Sequence, residues 1–344
     1  MLMLGKVFKI LLLIEFFYVL PGIGLGYWLF AKSDLPTRAK VALTLFVSML
    51  VVPFTAAWIA LMLGQLIRLQ ILMNVAAVAT LIFIIPLWRW FRSLRLALPK
   101  LDDLLLLCIA GGSAAFYVVF HTQDELMFQV YSWILRNDAY CFYLMIFKTM
   151  AAPGLPQAES LEQIHKIIST PGNVPWPATA LVIFKKYGIH GVHAAFAATL
   201  ACFSYLSVHH LLKKRAYALI AAAFAVLNPF VLNTPVLDRN FIALATSSVL
   251  FYLLITQSAG PLALGLLLGL VSGMGLRFLP ILMVFGVGLS MYQRKLLKPW
   301  PIVLAVFGFA VTFSINLRHL ALYPPLPGGQ GEQISLFTRA PFLP

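Results

Sequence analysis

Charge is scarce in this sequence. Only 10% of its 344 residues are Asp, Glu, Lys or Arg, 61% are hydrophobic, and the mean hydropathy is +0.92. Soluble domains carry about 25% charged residues, so a soluble globular fold is excluded. Acids are rarer still, 11 against 25 Lys and Arg. Cysteine is nearly lacking: Cys108, Cys141 and Cys202 stand apart with no CxxC or Cys/His spacing, which implies neither a disulfide framework nor a zinc site. Missing too is the strict apolar–polar alternation that membrane β-strands need, which argues against a β-barrel. The N-terminal apolar run has no small-x-small cleavage site followed by polar sequence, so it reads as a retained first span and not a signal peptide.

What the chain does have is long uncharged runs. Many reach the roughly 20 residues that a helix needs to cross a ~30 Å hydrocarbon layer, and such segments must be helical to satisfy their own backbone. The pattern predicts an all-α, polytopic bundle of about ten transmembrane helices, at 10–31, 41–63, 70–88, 102–120, 192–212, 216–234, 240–257, 261–277, 278–292 and 300–322. A net charge of +14 would point to nucleic acid in a soluble protein. Here the cations sit in short clusters between apolar runs, so they report topology, and no nucleic-acid partner is expected. Lys32/Arg38/Lys40, Arg89/Arg92/Arg95/Lys100, Lys213/Lys214/Arg215 and Arg294/Lys295/Lys298 all fall on one side when the N-terminus starts outside. Lys6, Lys9, Arg68, Arg239, Arg277 and Arg318 are left for the other side.

That sidedness makes residues 121–190 one long extracytoplasmic loop, too rich in aliphatic and aromatic residues for disorder. Within it, 126–150 has apolar residues at helical spacing that suit an interfacial helix, and Ser160 with Gln163 three positions on fits a capping box. Pro229 and Pro235, then Asp238 and Arg239, mark a broken connection on the same side. Arg277 and Pro280 divide a 30-residue apolar stretch into two short helices.

Collected on that side are His121, Asp124, Glu125, Asp238, Arg239 and Arg277. Ionisable groups near membrane depth are costly and mark sites or pathways. Paired carboxylates serve as a general base or hold a divalent cation through oxygen, and arginines bind phosphate by charge-assisted hydrogen bonds. The plainer alternatives are equally concrete: Asp124 and Glu125 as N-terminal caps of a following helix, Asp238–Arg239 as a solvated tip, and Arg277 snorkelling to the interface. His165, His193, His209 and His210 show no metal spacing, and "GLLLGLVSGMG" reads as close helix packing.

The order of these parts resembles the GT-C superfamily of integral membrane glycosyltransferases, which includes protein O-mannosyltransferases and aminoarabinose transferases. The matching pieces are "LLLLCIAGGSAAFYVVF" followed by "QDELMF", similar to the acidic motif opening the first external loop; "NVPWPATALVIFKKYGIHG", similar to the segment closing it; "TPVLDRNFIALATSSVLFYLL", similar to a second acidic position; and "GLLLGLVSGMGLRFLP". The likeness covers 101–322 as a core, leaving 1–100 as a three-span N-terminal segment and 323–344 as an external tail. It implies a polyprenyl-phosphate sugar as donor and a lipid, glycan or protein as acceptor. Asp124 would be the catalytic base or acidic metal ligand with Glu125 its companion, Asp238 a second acid, and Arg239 and Arg277 the donor-phosphate contacts. A divalent cation, Mg or Mn, would sit on Asp124 and Asp238. Two departures stand out: Val174 replaces the basic or His residue before the paired prolines, and Trp176 separates Pro175 from Pro177.

The expectation is therefore a glycosyltransferase of the plasma (inner) membrane, its active face extracytoplasmic and in contact with membrane lipids. Because relatives commonly run on into more spans, the chain reads as a minimal member or a piece, which leaves room for a membrane partner subunit. The rivals are a transporter or flippase of lipid-linked intermediates, for which no two-fold internal repeat is visible, and a noncatalytic scaffold subunit.

Overall fold

The computed structural model describes residues 12–31, 33–63, 68–93, 101–131, 188–228, 239–274 and 298–322, with Thr179, Ile183 and Val231. For Leu61, Ser93, Met274 and residues 117–131, 188–190, 192–193, 239–240 and 319–322 it describes the helix without the side chain. The interfacial helix at 126–150 beyond Tyr131, the capping box at Ser160, the Val174–Pro177 segment, Asp238, Arg277, the span at 278–292 and the tail 323–344 all lie outside the described residues.

Among the described residues the chain is helical, without strands. The helices are α1 (Leu12–Phe30), α2 (Thr37–Met62), α3 (Leu69–Ile82), α4 (Ile84–Ser93), α5 (Leu101–Tyr131), α6 (Gly188–Leu212), α7 (Arg215–Leu227), α8 (Arg239–Thr256), α9 (Pro261–Met274) and α10 (Pro299–Leu322). Four of them carry stretches long and apolar enough to cross a membrane, Leu12–Phe30, Thr37–Ala60, Ala194–Leu212 and Pro299–Arg318, and the bent pair α3–α4 makes up to five. Their outer surface is apolar: Phe224 is 75% exposed and Leu81 66%, with Trp28, Ile220 and Trp300 alongside. A surface of this kind is tolerated in lipid and not in water, so the chain is a membrane protein.

Three local breaks follow from prolines and glycines. Pro21 has no N–H to give to Phe17, and the turn before it, Glu15–Val19, is a π-helix. The Ser48 hydroxyl of α2 donates to the carbonyls of Tyr18 and Val19, each at 2.5 Å. Pro86 likewise cannot bond to Ile82, and the helix breaks at Phe83, where α4 turns 63° away from α3. The predicted span at 70–88 is thus a 14-residue helix followed by a turned one. In α1, a Cβ at Gly22 would strike Ser48 and one at Gly26 would strike Thr44, while one at Gly24 would lie 2.5 Å from Phe83. The three glycines therefore let α1 close on α2 with one face and on the α3–α4 elbow with another.

The second glycine seam joins α9 to α10. Gly265 lies against Ala305, Gly269 against Phe309 and Thr312, and Gly308 against Leu262 and Leu266. Residue numbers rise together along both helices, so the two run parallel, and Pro299 lies at the same end as Pro261. Thr312 Oγ1 donates across the seam to the Leu266 carbonyl at 2.9 Å.

At the centre α6 packs against α2, α5, α7 and α8. Phe46 of α2, Phe203 of α6 and Tyr252 of α8 form a buried ring ladder, with centroids 6.3 and 5.7 Å apart. The N-terminal helices are therefore packed into the body of the bundle. The α6–α7 turn runs through Lys213 at φ 57, and the α8–α9 turn through Gln257 at φ 53, both in the left-handed region that glycine usually occupies.

Candidate functional site

One end of the bundle is built from ion pairs. Arg38 in the first turn of α2 binds Asp103 at 2.9 Å, and Arg215 at the start of α7 binds Asp102 at 3.3 Å. The Asp102 carboxylate is 13% exposed, and Arg215 spreads over it into solvent at 65%. Beside them the rings of Tyr205 and His209 stack 5.7 Å apart, and Lys40 Nζ donates to the Ala31 carbonyl. Two of the four basic clusters thus meet around the acids that open α5. Reading the sequence for topology picks out the cations and passes over Asp102 and Asp103. Their signal was two adjacent acids in a chain with 11, placed on the cationic side.

This end is a plane from which heights can be measured, at 1.5 Å per helical residue. α5 has 31 residues, about 46 Å, and runs unbroken from the ion pairs through the predicted membrane exit at 120. Asp124 and Glu125 accordingly lie about 32–33 Å above the plane, inside the helix and two turns before it ends at Tyr131. They do not cap the N-terminus of a following helix, which removes the plainest alternative for them. His121 lies one turn lower on the same helix.

Trp58 of α2, about 30 Å up by the same rise, donates its indole N–H to Ser314 Oγ at 2.8 Å. The contact fixes the direction of α10. If α10 began at the far end, its apolar stretch Pro299–Arg318 would project past α2, so it begins at the ion-paired end, where it brings Lys298. Its parallel partner α9 begins there too, and the short turn Gln257–Gly260 places the end of α8 there. Arg239, the first residue of α8, is then at the far end. Counting up from Phe46 (about 12 Å) through the Tyr252 ring contact puts it about 32 Å above the plane.

Asp124, Glu125 and Arg239 therefore share one height near the far end, on helices that both pack against α6. The structure brings their helical positions to one level; the side chains themselves, with Asp238 and Arg277, are beyond what it describes. At about 33 Å, α10 adds Asn316, 4% exposed, and two residues (about 3 Å) higher Arg318; among the described residues the amide oxygen and nitrogen of Asn316 and the buried Nε of Arg318 have no hydrogen-bond partner. Below this level, on the outer half of α7, Ile220, Ala223, Phe224, Leu227 and Asn228 line an open groove of about 450 Å³. α7 packs directly on α5, the helix that carries Asp124.

Among the described residues no three His, Cys, Asp or Glu side chains come together to hold a metal ion; the side chain of Asp124 and all of Asp238 lie outside that set. No protein-family model matches this chain, and no curated protein or solved structure matches it at a significant level.

Proposed function

We propose that the protein is a membrane glycosyltransferase that moves a sugar from a polyprenyl-phosphate carrier to a hydroxyl or amine of a lipid, glycan or protein at the extracytoplasmic face. Supporting this reading is one observation: Asp124 and Glu125 stand a bilayer thickness away from the ion-paired, cation-rich end, level with Arg239. The positive-inside rule makes the cation-rich end cytoplasmic, so the acids face outward. In this reading α5 is a full crossing, and the bundle continues toward ten spans with a GT-C-like core.

The chemistry follows from the groups present. The apolar tail lies along the α7 groove, whose positions Ile220 to Asn228 stand about 13–25 Å below the acids. Asp124 accepts the proton of the acceptor hydroxyl as its oxygen bonds to the anomeric carbon, and the bond from that carbon to the phosphate oxygen breaks. Arg239 and Arg277 stabilise the charge left on the departing polyprenyl phosphate. Glu125 and Asp238 order the acceptor. A divalent cation on Asp124 and Asp238 would supply further charge neutralisation at the phosphate; no step above depends on it.

The test is Asp124→Asn in the full chain reconstituted in liposomes with a labelled polyprenyl-phosphate sugar. Transfer should fall by at least about 100-fold while insertion and thermal stability stay unchanged. Undiminished transfer removes the base role. Passage of the intact carrier across the bilayer without transfer would replace the enzyme with a flippase.

A further inference from the structure

The bend at Phe83 leaves α4 in a position that neither the bundle core nor the proposed reaction explains. Gly24, which holds Phe83, sits between the Gly22–Ser48 and Gly26–Thr44 contacts and so at the level of Phe46, about 12 Å above the ion-paired plane. α4 is 10 residues long and bends 63° from α3. It therefore descends only about 7 Å over its ~15 Å length and ends about 5 Å above that plane. An amphipathic helix in a bilayer interface rides at this depth, with its apolar side about 5–10 Å into the headgroup boundary.

Its faces fit the depth. Leu87 is buried against α1. Ile84, Trp88 and Phe91 form one exposed apolar stripe at helical spacing, Trp88 being 58% exposed, and the neighbouring stripe passes from Ile85, 63% exposed, to Arg89 and Arg92. The Arg92 guanidinium lies over the Trp88 ring, 4.9 Å from its centroid, so the cation is held at the border of the two stripes. From Phe83 to Lys100 there are four basic residues and no acid. The neighbouring ion pairs consume Arg38 and Arg215 internally; Arg89 and Arg92 are in no salt bridge that the structure describes.

We propose that α4 is a headgroup anchor whose occupant is anionic lipid of the leaflet at the ion-paired end. Ile84, Trp88 and Phe91 sink into the acyl boundary, and Arg89 and Arg92 bind phosphate oxygens of the headgroups at the ion-paired plane. Charge complementarity selects anionic over zwitterionic lipid, and the Gly24–Phe83 contact ties the anchor to α1. This inference is independent of the glycosyltransferase reading.

The experiment uses the full chain, with Cys108, Cys141 and Cys202 changed to Ser, in nanodiscs of phosphatidylcholine with or without phosphatidylglycerol. A spin label on Ile85→Cys should report a depth at the headgroup–acyl boundary. Phosphatidylglycerol retained through delipidation should fall about fivefold for each of Arg89→Gln and Arg92→Gln, and Arg89→Lys with Arg92→Lys should keep most of it. A label in bulk water, a label at the bilayer centre, or retention unchanged by the Gln variants would each overturn the proposal. Circular dichroism and gel filtration confirm that each variant compared is folded.

Discussion

Asp102 and Asp103, at one end of α5, hold Arg215 and Arg38 in ion pairs, whereas Asn316 and the Nε of Arg318, at the far end of α10, are buried with no hydrogen-bond partner among the described residues. Both ends lie in the same bundle and at comparable distance from its middle. The first arrangement is what helix docking requires: each charge has an opposite neighbour, and three helix starts are tied together. The second has no such use. An unpartnered buried amide costs about 1–3 kcal/mol, so a group kept in that state calls for a reason that packing alone does not give. The contrast sets the two ends of the bundle apart without reference to the acids on α5.

This contrast can be broken or sharpened by substitution. The largest stability effect should come from Asp102→Ala with Asp103→Ala, which strands two arginines at the α2–α5–α7 junction. Exposed pairs contribute about 0–1 kcal/mol each, and the partial burial of Asp102 puts the double loss at about 2 kcal/mol. Thermal unfolding in detergent measures it, and exchanging the charges of Arg38 and Asp103 should recover part. Next, Asn316→Val should move stability the other way, up by about 1 kcal/mol, because it removes an amide that no described residue satisfies. A loss of stability instead would mean that the amide has a partner and that the two ends are alike. The smallest effect is that of Gln257→Gly, which relieves the left-handed backbone at the α8–α9 turn and should add a few tenths of a kcal/mol up to about 1.

The sequence made most helices legible because uncharged length is a local property. The predicted spans at 10–31, 41–63, 192–212, 240–257, 261–277 and 300–322 correspond to α1, α2, α6, α8, α9 and α10 within a few residues. Two misreadings have physical causes. Hydropathy continues across Ile82–Phe83, so an apolar window passes over the break that Pro86 imposes through one missing donor. Conversely, charge at 124–125 looks like the end of a helix, yet neither Asp nor Glu stops one, and no Pro or Gly follows before Tyr131. The site was legible only as an order of residues along the chain. Its heights emerge from contacts such as Trp58–Ser314 and Phe203–Tyr252, which join positions far apart in sequence and leave no local trace. The partners of Asp102 and Asp103 were hidden for the same reason.

The parallel course of α9 and α10 constrains how the protein is made. Gly265 meets Ala305, a residue synthesised 40 positions later. At about 5–20 residues per second of elongation, α9 therefore waits roughly 2–8 s, its notched face open to surrounding lipid or to an insertion factor, before its mate has been translated. Neither helix can dock as a hairpin with its immediate successor along that face, so this seam is a late event in biogenesis and a natural place for assembly to stall.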